Sequence, residues 1–175
     1  MPKLTEKQAI ALLKKYSKDK NSFDKVLAHS KAVQKKALEL AENIPNINKD
    51  YIMIGSLLHD IGRFDTWPDY PEKHGVVGAS ILKKEKLLKY ALIAERHLGA
   101  GISKQDIEEQ GIDIPLKDYI PITKEEKIIT HADNMIAGDK RISLKKVLDR
   151  YDKELGKKVA SKVKKLAEEV ESMKK

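Results

Sequence analysis

Apolar residues recur at spacings of three and four along most of the chain, the pattern of helices that each bury one face. Thr5 is placed to cap a first helix carrying Ile10, Leu12 and Leu13. Asn21 or Ser22 caps a second, on which Val26, His29, Val33, Ala37 and Leu40 form one stripe. A break at Asn43–Asn48 precedes the most apolar stretch, YIMIGSLLHDIG, which Asp50 opens and Gly62 ends. Residues 63–73, with two prolines, read as a loop; helices follow over Val76–Lys86 and Leu87–Leu98, and the glycines of Gly99–Gly101 stop the second. Ser103 and Asp106 form a capping-box pattern that starts a short helix, with irregular chain after Gly111. Thr123 and Glu126, again a capping-box pattern, begin another helix through KIITHADNMI, and the last two cover Leu144–Tyr151 and Lys157–Met173. No alternating pattern long enough for a strand appears. The expectation is an all-α fold, a compact helical bundle forming a single domain over residues 1–175.

Four polar residues stand where the chain is otherwise apolar. His29 faces inward between Val26 and Val33, as a hydrogen-bonded core histidine or as a ligand. Asp133 projects from the stripe of Ile129, Ala132 and Ile136. An unpaired buried carboxylate costs several kcal/mol, so either a cation or a salt bridge to Arg141 or Arg96 must offset it. His59 and Asp60 close the apolar helix, where imidazole and carboxylate are both anomalous. Together these donors suit Zn, Fe, Mn, Co or Ni.

Composition narrows the classes. With no cysteine there is no disulfide framework and no thiolate ligand or nucleophile. No apolar run approaches the ~20 residues of a spanning helix, and no signal-peptide core opens the chain, so an intracellular, cytoplasmic protein without membrane partners is expected. The net charge is +8. Residues 139–175 hold thirteen Lys or Arg against seven Asp or Glu, a net +6, which is a nucleic-acid footprint or, as favoured here, a solvated helix face.

The inward His29, the pair His59-Asp60 and the later Asp133 in HADNMI together resemble the HD-domain metal-dependent phosphohydrolases, and HDIG at 59–62 is the subgroup's signature string. The likeness covers roughly residues 25–140, the metal-site core, leaving basic C-terminal helices at 141–175. It implies that His29, His59, Asp60 and Asp133 hold a divalent metal and that the protein hydrolyses a phosphoester or phosphoanhydride, usually of a nucleotide. The segments HGVVGA at 74–79 and ERHLG at 95–99 extend the likeness to bacterial HD-type symmetrical diadenosine tetraphosphate hydrolases. That implies a second ion on His74 and His97, with Asp60 bridging the two, so the cofactor is one or two ions.

Arg63 stands three residues after Asp60, where those hydrolases carry Lys and several other HD nucleotidases carry Glu. The resemblance implies a catalytic pairing of Asp60 and Arg63. Arg63, Lys73 and Arg96 are candidates for phosphate oxygens, with surface arginines and lysines as the plain alternative. Phe64, Trp67 and Tyr70 either stack a base or anchor their loop. His131 has no assigned role, and residues 101–123 are long enough for a lid. Two other readings are a single-metal nucleoside 5′-monophosphatase, with His74 and His97 on phosphate, and a non-catalytic bundle that binds RNA or a protein partner.

Overall fold

A computed structural model describes residues 4–174. Helices α1 (Glu6–Tyr16), α2 (Lys20–Leu40), α3 (Lys49–Leu58), α4 (Arg63–Thr66), α5 (His74–Lys84) and α6 (Leu88–Arg96) make up the first part. Helices α7 (Lys104–Gln110), α8 (Lys124–Asn134), α9 (Leu144–Leu155) and α10 (Lys157–Ser172) follow. The fold is all-α, as the periodicity requires. Its one sheet among the described residues is a hairpin of β1 (Ile136–Ala137) with β2 (Lys140–Arg141), antiparallel, Ile136 opposite Arg141. Two-residue strands are too short to alternate, so the hydropathy pattern carries no trace of them.

Helix α3 lies at the centre, against α1, α2, α6 and α8. Its Ile52, Ile54, Leu57 and Leu58 are all buried, each worth about 2 kcal/mol against exposure. α5 packs along α6, and α10 lies on α8 and α9. Leu166 and Val170 of α10 join the same core as α1–α3, so the basic tail is packed on its inner face and solvated on its outer one.

Several boundaries differ from the sequence expectation for local reasons. Asp19, rather than Asn21 or Ser22, caps α2, accepting the Ser22 N–H at 2.8 Å. Asn48 caps α3, so Asp50 sits inside its first turn. Helix α3 ends at Leu58 rather than Gly62, and Gly62 is not a left-handed cap: its φ is −69°. It is small because a Cβ there would lie 2.0 Å from the His74 carbonyl oxygen, where α5 crosses. The segment after it is not all loop: it forms α4 and a 3-10 turn at Pro71–Lys73. α5 begins two residues early, at His74, and α9 runs on to Leu155. The capping boxes at Thr5 and Ser103 are both reciprocal, but Thr123 makes only half of one. The Glu126 carboxylate instead accepts from the Ile122 N–H at 2.7 Å and from Arg96.

Candidate metal centre

Five elements each bring one or two polar groups to a single point. His29 comes from mid-α2 and His59 and Asp60 from the turn that ends α3. His74 opens α5, His97 directly follows α6, and Asp133 is the penultimate residue of α8. The turn after α3 is held by the Arg63 N–H donating to the Asp60 carbonyl at 2.9 Å, and the adjacent His59 and Asp60 side chains meet at the centre, Nε2 3.5 Å from Oδ2.

In all four imidazoles Nδ1 faces a backbone carbonyl: His29 that of Gly138 at 2.6 Å, His59 that of Ser56 at 2.7 Å, His97 that of Ala94 at 2.8 Å, and His74 that of Pro71. A carbonyl only accepts, so each Nδ1 carries the hydrogen and each Nε2 turns to the centre. There His29 Nε2 lies 2.9 Å from Asp133 Oδ1 and 3.3 Å from Asp60 Oδ2. His59 Nε2 is 3.5 Å from each of the same two oxygens. The other Asp60 oxygen, Oδ1, faces His74 Nε2 at 3.2 Å and His97 Nε2 at 3.4 Å, while those two nitrogens are 3.0 Å apart. The two oxygens of Asp60 are thus divided between two sets of donors.

These separations match neighbouring ligands on one ion: bonds of about 2.1 Å at tetrahedral or octahedral angles put adjacent donor atoms about 3.0–3.4 Å apart. His29, His59 and Asp133 form one group that could hold a metal, and His59, Asp60 and His97 another. Asp60 is wholly buried, yet neither of its oxygens, nor His59 Nε2, has a hydrogen-bond partner. Buried polar atoms left without partners, here both Asp60 oxygens and His59 Nε2, are expensive unless a bound cation satisfies them. The residues therefore fit a divalent metal.

The charges agree. Burial works to raise the pKa of Asp60, but the charges of His59 and Arg63, with His74 and His97, hold it well below the usual carboxylate range. Burial likewise opposes ionisation of Asp133, and His29 and His59 overcome it. Burial also works to lower His29, but Asp133, Asp60 and the Gly138 carbonyl carry it up to about 9. Metal binding at this position must therefore displace a proton. His97, dominated by burial, is lowered and stays neutral.

The remaining candidates sort themselves. Arg63 reaches the centre, its Nε 2.7 Å from Asp60 Oδ2 but not aligned as a hydrogen bond. Arg96 is turned to Glu126, at 3.1 Å, and Lys73 is paired with Asp113 at 2.5 Å. A phosphate role for either competes with an existing ion pair. Neither salt-bridge partner expected for Asp133 is there: Arg96 is held by Glu126 and Arg141 by Glu39. His131, two residues before Asp133, faces away, near Lys36 and Lys174, and burial lowers its pKa to about 4. Residues 101–123 are pinned by paired backbone bonds between Ile102 and Tyr119, whose ring is buried.

Two supports escaped the sequence reading. The hairpin exists to present the Gly138 carbonyl to His29, and Gly138 takes φ +63° at the first turn position, where a side chain would be strained. The Gly138-Asp139 pair was the available signal. Asn134 donates to the Gly99 carbonyl at 2.6 Å and accepts from the Tyr151 hydroxyl at 2.8 Å, tying α8, the turn after His97 and α9 together. No signal announces a contact between residues so far apart.

Residues 26–138 match the family model described as HD domain. The chain is 48% identical to uncharacterized protein MJ0778 of Methanocaldococcus jannaschii, over 77% of this chain and 79% of that one. It is 38% identical to a tRNA (cytidine(56)-2′-O)-methyltransferase of Picrophilus torridus, over 96% of this chain and 47% of the relative. The corresponding Thermoplasma volcanium methyltransferase is 37% identical over 92% and 45%. The chain thus spans about half the length of these two methyltransferases. In structure it resembles the HD domain of the L. monocytogenes phosphodiesterase PgpH, with a TM-score of 0.52 and 17% identity over 90% of this chain and 94% of that one. With the model covering well over half of its length and the fold all-α, the chain belongs to the HD-domain family.

Proposed function

We propose that this chain is a metal-dependent phosphohydrolase that cleaves a phosphoester or phosphoanhydride bond of a nucleotide, within one HD-type domain. The observation that carries the reading is the buried convergence of four imidazole Nε2 atoms on the carboxylates of Asp60 and Asp133. His29, His59, Asp60 and Asp133 would hold one divalent ion, and Asp60, His74 and His97 a second. Ions there supply Lewis acidity and lower the pKa of water toward neutrality. The chain's own groups do the rest. The four carbonyl-anchored imidazoles fix donor directions, the packed α3, α5 and α6 exclude bulk water, and Arg63 offers a guanidinium to a non-bridging phosphate oxygen.

The split of Asp60 between two donor sets favours the binuclear reading, and with it the diadenosine tetraphosphate hydrolase likeness, over a single-metal monophosphatase. A second reading has two supporting observations: two relatives are named as tRNA methyltransferases, and residues 139–175 carry a net +6. In that case the phosphoester lies in RNA. Elemental analysis of the purified protein, then a panel of mononucleotides, bis-nucleoside polyphosphates and RNA ends with Mn, Fe, Co and Ni, tests both. About two ions per chain with turnover of small nucleotides supports the first; cleavage confined to RNA supports the second; absence of metal overturns both.

A further inference from the structure

The segment directly after the ligand pair reads RFDTWPDY at 63–70, and its three aromatic side chains behave differently. Phe64 is buried in the core, whereas Trp67 is 56% and Tyr70 55% exposed. Phe64 therefore anchors the segment, with the buried Thr66 donating to the Gly62 carbonyl at 3.1 Å, and the other two rings are available to something else. Each exposed ring is accompanied by a cation: the Arg63 guanidinium lies 5.0 Å from the Trp67 ring and Lys73 Nζ lies 4.9 Å from the Tyr70 ring.

Arg63 joins this rim to the metal centre. Its Nε is 2.7 Å from Asp60 Oδ2 while its other end faces the indole, which puts the Trp67 ring within about 9 Å of that oxygen. A phosphate at the centre would have its sugar and base emerge past Arg63 toward these rings. Aromatic faces beside cations are what an unpaired base requires, because every base has a π-face and each stack is worth about 1–3 kcal/mol.

We propose that Trp67 and Tyr70 form a base-stacking subsite for the nucleobase of the substrate, with Arg63 spanning the base and phosphate ends; this rests on the phosphohydrolase reading above. Trp67 is the chain's only tryptophan, so its emission reports the subsite directly. The metal-loaded protein is titrated with adenosine 5′-monophosphate and, in parallel, with ribose 5-phosphate, which has the phosphate and no base. The proposal expects saturable quenching by the nucleotide and little by the sugar phosphate, with the apparent Kd raised about tenfold in Tyr70→Ala. For Trp67→Ala, it expects the ratio of kcat/KM on a nucleotide ester to that on a p-nitrophenyl phosphoester to fall about tenfold. Equal responses to the two ligands, or an unchanged ratio in Trp67→Ala, overturn it. Base-dependent quenching without cleavage of any phosphoester upholds the subsite and defeats the hydrolase reading; cleavage with base-independent binding does the reverse.

Discussion

The candidate metal centre and the C-terminal helices both place charge on a helical scaffold, and they solve its cost in opposite ways. At the centre, Asp60 is stripped of water, and none of the imidazoles around it, nor the nearby Arg63, gives its oxygens an aligned hydrogen bond. In α10 the charges stay at the surface and pair across it: Lys162 with Asp106, Lys158 with Glu109, Lys127 with Glu169. The tail's polar groups need nothing further, because water and a facing carboxylate suffice. Those of the centre include atoms with neither, and a bound divalent ion would satisfy them. Helix α8 sends neighbouring polar groups two ways: Asp133 enters the centre, while His131, also buried, packs away from it and is held neutral by burial.

The strongest way to break this contrast is Asp60→Ala. It should remove nearly all bound metal and hydrolysis while helical circular dichroism persists, a larger loss than the ~10–100-fold that follows removal of a group behind a ligand. Near-full metal content in that variant would mean that the carboxylate was never a ligand. His97→Ala sharpens the picture within the centre. Metal should drop from about two ions per chain to about one, with turnover falling by orders of magnitude, because only the Asp60 Oδ1 side is lost. Unchanged stoichiometry by elemental analysis would leave His74 and His97 as phosphate-binding or core residues.

The tail should behave as packing. Leu166→Ala, in the core beneath α10, should cost about 3 kcal/mol in denaturant unfolding and leave the number of bound ions as it was. A loss of metal instead would make α10 part of the site.

The smallest effect lies at the Asp106–Lys162 clamp between α7 and α10. Burial works to raise the Asp106 pKa, but Lys162 and Ser103 bring it down to about 2. A carboxylate depressed on folding stabilises the protein above its unfolded pKa of about 3.8 and loses that contribution as pH falls to about 2. Because Lys162 is partly exposed, the contribution is roughly 1 kcal/mol. Asp106→Asn should therefore lower stability by that amount at pH 7, with the gap to the parent closing as pH falls through about 2, as read by urea midpoints across that range.

Periodicity alone determined the helical class, the stripe of α2, the core role of α3 and the inward direction of His29 and Asp133. A helix repeats its own geometry, so a residue's face follows from its spacing to its neighbours. The Thr5 cap and the Ser103 capping box were legible for the same reason, since each is closed within four residues, whereas the box expected at Thr123 lost Glu126 to Arg96 and the Ile122 N–H. Only the tertiary structure decided what those inward groups meet. That Asp133 pairs with His29 and His59 rather than with Arg141 or Arg96 depends on how α2, α3 and α8 cross. So does the division of Asp60 between two histidine sets, for which α5 had to approach closely enough that position 62 is glycine. The exposure of Trp67 and Tyr70 beside a buried Phe64, and the hairpin that hands a carbonyl to His29, are likewise products of packing. Directions within one element are local and can be read from spacing; distances between elements are set by the whole core at once.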